Sequence, residues 1–377
     1  MKKLKKLLAL ALALTTVFAF AGCQNEAVEN NAGGEEAPAA DFKVGVIHIG
    51  DPADGSGYSF AHDQGIVAMQ AELGLEDSQI VRKNNIADGD AVASRTAIEE
   101  CIEEGCKIIF GTSWGYMDTM EELAAEYPDV IFSHGTGYKS NDTNFNNYFG
   151  RIYQARYLAG IAAGMKTQSN KIGYVAAMGS ENSEVTGGVN AFAMGIKSVN
   201  PDAVVYVKVT NSWFDPTAEQ QAAEALLSMG CDVIGQHCDT TAPQLAAEAK
   251  GVWGCGYNSD MTKDAPKAHL TAPIWNWGIY YTKATKAAME GTWKAENYFG
   301  GMDDGLVDIS PLSENCAEGT QEAIDAVREK IKSGEFKVFQ DEIKDNKGNI
   351  VCKAGEVISD ADITGNMTWY FENIEVK

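Results

Sequence analysis

Cations are scarce in this sequence. It carries 30 Lys and Arg against 53 Asp and Glu, a formal net charge of −23. A surface so acidic repels phosphate backbones and anionic lipid, which excludes nucleic-acid binding and electrostatic membrane association. Histidine is limited to five residues and no two cysteines stand in CxxC spacing, so a zinc module is excluded. HExxH, GxxxxGK[ST] and GxGxxG are also missing, and with them the usual arrangements for a catalytic zinc or a bound nucleotide phosphate. No metal and no cofactor is expected. Asp51, Asp54 and His62 could in principle approach a cation, but loop carboxylates more often face solvent or a ligand.

No apolar run reaches membrane-spanning length. The longest, Leu7–Ala21, falls short of the ~20 residues that a transmembrane helix needs. Behind Lys2, Lys3, Lys5 and Lys6 it reads as a signal peptide over residues 1–22. Phe20-Ala21-Gly22-Cys23 resembles a bacterial lipobox, which makes Cys23 the expected lipidation site. Residues 23–40 are polar, acidic and free of aromatics, as a flexible tether should be. Without the four leader lysines the balance is 26 basic against 53 acidic residues, or −27. The expected location is the extracytoplasmic face of the cell membrane, with the lipid as the only membrane contact. Seven further cysteines remain (Cys101, Cys106, Cys231, Cys238, Cys255, Cys316, Cys352). Their odd number and irregular spacing read as buried thiols rather than a disulfide framework.

What is present is a repeating strand–helix text. Lys43–Ile49, Ser78–Lys83, Lys107–Gly111 and Val130–Ser133 read as strands, separated by helical periodicities such as Asp90–Glu104. The pattern restarts at Lys171–Ala176 and continues through Ala203–Thr210, Asp232–Gly235 and Val252–Gly256. Two such runs predict two α/β lobes, each a parallel sheet flanked by helices. Ligands of parallel sheets bind at the carboxyl ends of strands, and between two lobes those ends face a cleft. The segments after the strands are rich in aromatics and in hydrogen-bonding side chains. They hold Asp54, Tyr58 and Phe60; Trp114; Trp213 and Phe214; Asp239; Asn258 and Asp260; and Trp275 and Asn276. Four of the seven tryptophans (Trp114, Trp213, Trp275, Trp277) fall there, which suits a flat heterocycle or a sugar ring stacked on aromatic faces. His62-Asp63 and His237-Cys238-Asp239 are sequence neighbours and cannot form a relay, so the protein is not expected to be an enzyme.

The lipobox, KVGVIHIGDPADGSGYSFAHDQG, YFGRIYQARYLAGIAAGM, KIGYVAAM, TNSWFDP, GCDVIGQHCD and GYNSDM occur in order. Together they resemble the basic membrane protein (BMP, PnrA-like) family of solute-binding lipoproteins, from about Lys43 to the C-terminus. The resemblance implies a periplasmic-binding-protein type I, ribose-binding-like fold and a receptor role for an ABC importer with a permease partner. It implies a purine sandwiched between Tyr58 or Phe60 and Trp213 or Phe214. Asp54 then matches a loop carboxylate that reads the base, and Asp260 a ribose-contacting Asp. Family members carry a ribose-contacting Lys where this sequence has Trp275, Asn276 and Trp277, which favours a free base such as adenine or hypoxanthine over a nucleoside. By analogy to the fold, the chain crosses between lobes near Gly150, Gly278 and Leu312. Lobe I is then 41–150 plus about 278–312, and lobe II 151–277 plus about 313–377. The alternatives are a sugar receptor of the same fold, or a surface lipoprotein that signals or adheres.

Overall fold

The computed structural model describes residues 41–377. Five strands come first: β1 (Lys43–Ile47), β2 (Ile80–Lys83), β3 (Cys106–Gly111), β4 (Ile131–Gly135) and β5 (Phe145–Gly150). Five more follow the helix Ile152–Lys166: β6 (Lys171–Ala176), β7 (Val204–Val209), β8 (Val233–His237), β9 (Trp253–Cys255) and β10 (His269–Thr271). The others are short: β11 (Pro273–Trp275), β12 (Tyr298–Gly300), β13 (Val307–Ile309), β14 (Ile343–Lys344), β15 (Ile350–Cys352) and β16 (Ile374–Val376). One six-stranded sheet has the order β12-β5-β4-β3-β1-β2 and the other β10-β9-β8-β6-β7-β16. Every pairing within them is parallel. The protein is thus a two-lobed α/β fold.

Sequence explains the pieces. β1 is a continuous apolar run because both faces of its sheet are covered: Val44, Val46 and Ile47 have no exposed surface. Asp90 caps the helix Ala91–Glu103 by accepting from the amides of Val92 and Ala93. Asp215 caps Pro216–Ser228 in the same way, with proline at the first helical position. The helices Ile152–Lys166 and Ser183–Val199 cross at glycines. A Cβ on Gly160 would lie 2.1 Å from the Phe192 carbonyl oxygen, and one on Gly195 2.0 Å from that of Tyr157.

The chain passes between the sheets three times. It leaves the first after β5, and returns along β11 into the helix Gly278–Met289, which packs on the helix Gly57–Leu73. It leaves again between β12 and β13, where β13 pairs antiparallel with β11. Ser310 and Ser313 then bond back to Ala272 and Leu270 beside the second sheet. All seven described cysteines are free, and all but Cys316 are buried. No described helix is long and apolar enough to cross a membrane.

Candidate functional site

Backbone strain marks the strand ends. Thr136 after β4, Asn211 after β7 and Asn258 after β9 are non-glycine residues at φ of 74°, 56° and 67°. The left-handed region costs such residues about 1–2 kcal/mol, and a β-branched threonine rarely enters it. Strain of this kind concentrates where a site needs its backbone aimed.

The lobes meet at the start of the helix Gly57–Leu73. A Cβ on Gly57 would lie 2.5 Å from the Asp239 carbonyl oxygen of the other lobe, so the cleft is closed. The Tyr58 hydroxyl donates to the Thr112 carbonyl at 2.6 Å, and its ring stands edge-on to His62 at 4.4 Å. Burial pushes the Tyr58 pKa up first, and the nearby Tyr148, Glu184, Tyr257 and Asp239 push it further. Tyr58 of one lobe therefore faces Glu184, Asp239 and Tyr257 of the other.

Around that point the second lobe builds a polar floor. The Asp239 amide donates to the Trp213 carbonyl at 2.9 Å, and Asn258 Nδ2 donates to Asp239 Oδ1 at 2.8 Å. Burial pushes the Asp239 carboxyl up to about 7, against the Asn258 hydrogen bond. Burial also pushes Glu184 up to about 7, opposed by Arg156, and its Oε1 lies 3.6 Å from His237 Nε2. Trp213 stands edge-on to His237. Arg156 is buried with Nη1 bonded to the Tyr174 hydroxyl and the Gln236 carbonyl, and its guanidinium lies 4.0 Å from the centre of the Tyr257 ring. On the hinge side His62, Trp277 and Trp275 form a column, each pair 4.4 Å apart and 12° from parallel.

Several of these groups lack partners. Arg156 Nε and Nη2, Asn258 Oδ1, Thr136 Oγ1, His62 Nε2 and Trp277 Nε1 are buried without a hydrogen bond. Each such group costs about 1–3 kcal/mol unless something bonds it. A ligand with both donors and acceptors is the economical way to satisfy them. Beside the floor a groove of about 940 Å³ opens between the first loop and the helices Pro216–Ser228 and Ala242–Lys250. Asp54, Ser56, Phe214, Asp239, Thr240 and Leu245 line it.

The expected site residues thus divide. Tyr58, Asp239, Asn258 and Trp275 are brought into or against the cleft, with Trp213 beside them. Asp54 and Phe214 are exposed at its mouth, and Phe60 is half-buried on the same helix as Tyr58. Three others have their polar or aromatic groups engaged elsewhere. Trp114 is exposed against Tyr138. Asp260 is exposed and accepts from the amide and hydroxyl of Thr262. Asn276 donates to the Gly305 carbonyl and braces a crossing of the hinge. Sequence reasoning missed Arg156, Glu184, His237 and Tyr257. Arg156 was legible as the one charge in the apolar helix text ARYLAGIAAG. The chain also contains GxSxG spacing at Gly111–Gly115, but no nucleophile results. The Ser113 hydroxyl donates to Asp88 at 2.6 Å, and the nearby His134 Nε2 bonds to the Ser113 backbone carbonyl rather than to its hydroxyl.

The family model for ABC transporter substrate-binding protein PnrA-like (Bmp) matches residues 42–342. The chain belongs to the PnrA-like family of ABC transporter substrate-binding proteins. A purine-binding protein of Brucella abortus (strain 2308) is 39% identical over 336 residues, covering 89% of this chain and 93% of the relative. A putative ABC transporter glucose-binding protein of Haloferax volcanii is 36% identical over 312 residues, covering 83% and 78%. Among solved structures, a solute-binding protein of an ABC transporter system from Conexibacter woesei superimposes with a TM-score of 0.67 at 21% identity. It covers 78% of this chain and 98% of its own, a likeness of fold. PnrA-like receptors work outside the cytoplasm and pass a small molecule to a permease.

Proposed function

We propose that this PnrA-like receptor binds a purine between its lobes and delivers it to an ABC importer, with a free base such as adenine or hypoxanthine favoured over the nucleoside. The observation that carries the reading is the meeting of Tyr58, Trp213, Asp239 and Asn258 where the lobes touch. Two aromatic faces can stack a flat ring while an amide and a carboxylate bond its edge. The buried Trp275–Trp277 column occupies the hinge side where family resemblance would place a ribose-contacting lysine, which supports the base over the nucleoside. The name of the Brucella abortus relative supports purine chemistry. Lipid anchoring through Cys23, after a signal peptide over 1–22, belongs to the same proposal; Cys23 lies outside the described residues. So does the division into lobe I (41–150 plus about 278–312) and lobe II (151–277 plus about 313–377).

The test is thermal unfolding of the full chain, stripped of ligand by unfolding and refolding. The panel holds adenine, guanine, hypoxanthine, their nucleosides, ribose and glucose. A ligand at 100-fold its Kd adds about 2.7 kcal/mol, a measurable rise in Tm. Bases alone should stabilise, and Tyr58→Ala and Trp213→Ala should each weaken binding more than tenfold. Stabilisation by nucleosides would remove the base preference. The Haloferax volcanii relative is named for glucose, which gives a sugar reading its support. A shift with glucose or ribose and none with purines would establish that reading instead.

A further inference from the structure

The cysteines differ in what their thiols meet. Cys255 donates to the Ala159 carbonyl, Cys316 to that of Leu270, and Cys352 to those of Lys353 and Glu356. Cys238 bonds the Glu219 carboxylate. Cys101 and Cys106 meet each other. Cys101 lies in the last turn of the helix Ala91–Glu103, and Cys106 opens β3. Simple alternation along β3 would set Cys106 on the face of Ile108 and Phe110, away from that helix. A bulge prevents this. Lys43 of β1 pairs with Cys106 and Val44 with Ile108, so Lys107 is an extra residue that re-aims Cys106. Cys106 thus shares one core cluster with Cys101 and Ile109, while Ile108 and Phe110 belong to the other. The helix approaches β1 closely because a glycine lies beneath it: a Cβ on Gly45 would be 3.1 Å from Cys101 Cβ and 3.2 Å from its Sγ. The hydrogen bond with Cys106 is the first cause that raises the Cys101 pKa, ahead of burial, and Lys83 opposes both.

We propose that Cys101 and Cys106 form a redox site, which a small disulfide oxidises to an intrachain disulfide and a thiol reductant reopens. PnrA-like receptors work outside the cytoplasm, where disulfides form and persist. The oxidant is a low-molecular-weight disulfide, RSSR. One protein thiol loses its proton and attacks a sulfur of RSSR, which forms a mixed disulfide and releases one RS−. The second protein thiol loses its proton, attacks the protein sulfur of that mixed disulfide and releases the other RS−. The two protons complete two RSH, so two protein thiols are oxidised while one RSSR is reduced. Both thiols are buried, and entry requires a local opening. The helix end provides it. The chain leaves through Glu104 and Gly105, the latter at φ 90° with nothing within 4 Å of its Cβ position. Surface ion pairs from Lys83 to Glu100 and Glu104, at 2.8 and 3.1 Å, hold this turn down. Exposed ion pairs give way easily, and the same Lys83 favours the Cys101 thiolate once water enters. The bond fastens the end of the helix to the first sheet, and it is independent of the ligand bound in the cleft.

The experiment treats the folded full chain with glutathione disulfide and quenches with acid. Remaining thiols are alkylated in denaturant, and the fragments are mapped by mass spectrometry after cleavage at glutamate. Cuts at Glu103 and Glu104 send Cys101 and Cys106 into separate fragments unless a disulfide joins them. The expected map has one joined pair, Cys101 with Cys106, released by dithiothreitol, whereas chain unfolded in urea gives several pairings. Cys101→Ala and Cys106→Ala should each abolish the pair, and Cys255→Ala should leave it intact. The map of the unaltered chain decides even where a variant fails to fold. Thiols that all remain open to alkylation overturn the proposal. So does glutathione retained on either cysteine without a joined pair, or a Cys255–Cys316 pair in its place.

Discussion

Gly57 is the point where closure can be tested with one methyl group. Its Cβ would lie 2.5 Å from the Asp239 carbonyl oxygen, almost an ångström inside ordinary contact. That oxygen belongs to the other lobe, so Gly57→Ala clashes only when the cleft is shut. The substitution also places alanine at φ 83°, which costs about 1–2 kcal/mol in open and closed forms alike. Gly55 separates the two effects. It has nearly the same φ, 78°, and nothing within 4 Å of its Cβ position. Both variants should therefore lose a similar few degrees of Tm. Only Gly57→Ala should lose affinity, because a ligand that binds the closed form is weakened in proportion to that form's population. A closure penalty of ~1.4–2.8 kcal/mol predicts 10- to 100-fold weaker binding. The assay is calorimetry for affinity with small-angle scattering for compaction in saturating ligand. Equal affinity loss in the two variants, or none in Gly57→Ala, would refute the reasoning.

Acid should destabilise the fold. Burial holds His134 and His269 down to about 4, and His62 and His237 well below their ordinary value, so the unfolded chain takes up protons below pH 6.5 that the folded chain refuses. Asp239 and Glu184, pushed up to about 7, work in the opposite direction over the same window. Glu219 and Asp264 are raised as well and oppose the histidines, while Asp63 is held down and acts with them; the four histidines set the sign, so Tm should fall from pH 6.5 to 4.5. A Tm that rises over that interval would contradict the sign. Purine affinity should fall as pH drops below 7, as Asp239, pushed up to about 7 by burial, gains a proton; a pH-independent Kd from 8 to 5.5 would exclude Asp239 as an acceptor. Gly160→Ala should destabilise by several kcal/mol without touching the cleft, since its methyl meets backbone at 2.1 Å, and urea unfolding reads this directly.

The lobes were legible because parallel strands buried on both faces leave nearly pure apolar text, as in Lys43–Ile47. β5 escaped notice for the opposite reason. Its sequence FNNYFG places two asparagines mid-strand, and Asn146 is tolerated there only because Tyr280 and Glu296, far along the chain, accept its hydrogens. The site was half legible for a related reason. Residues immediately after strands could be named from order alone, which reached Tyr58, Asp239 and Asn258. Arg156 and Glu184 come from the early turns of helices and reach the floor through packing within the second lobe, against Tyr174, Gln236, Tyr257 and His237. Trp114 and Asp260 follow strands as expected, but local partners hold them, and no spacing rule encodes those partners.

One parallel partner of β5 is β12, made about 150 residues later, and one partner of β7 is β16 (Ile374–Val376), made about 165 residues later. The first sheet cannot be completed until residue 300 exists and the second until residue 376, and neither lobe can be excised as one continuous piece. Contacts between such distant segments form slowly, because long loops must close before they are rewarded. A chain wired in this way lingers in an unfolded state after synthesis, the state in which a polypeptide can be threaded through a narrow channel.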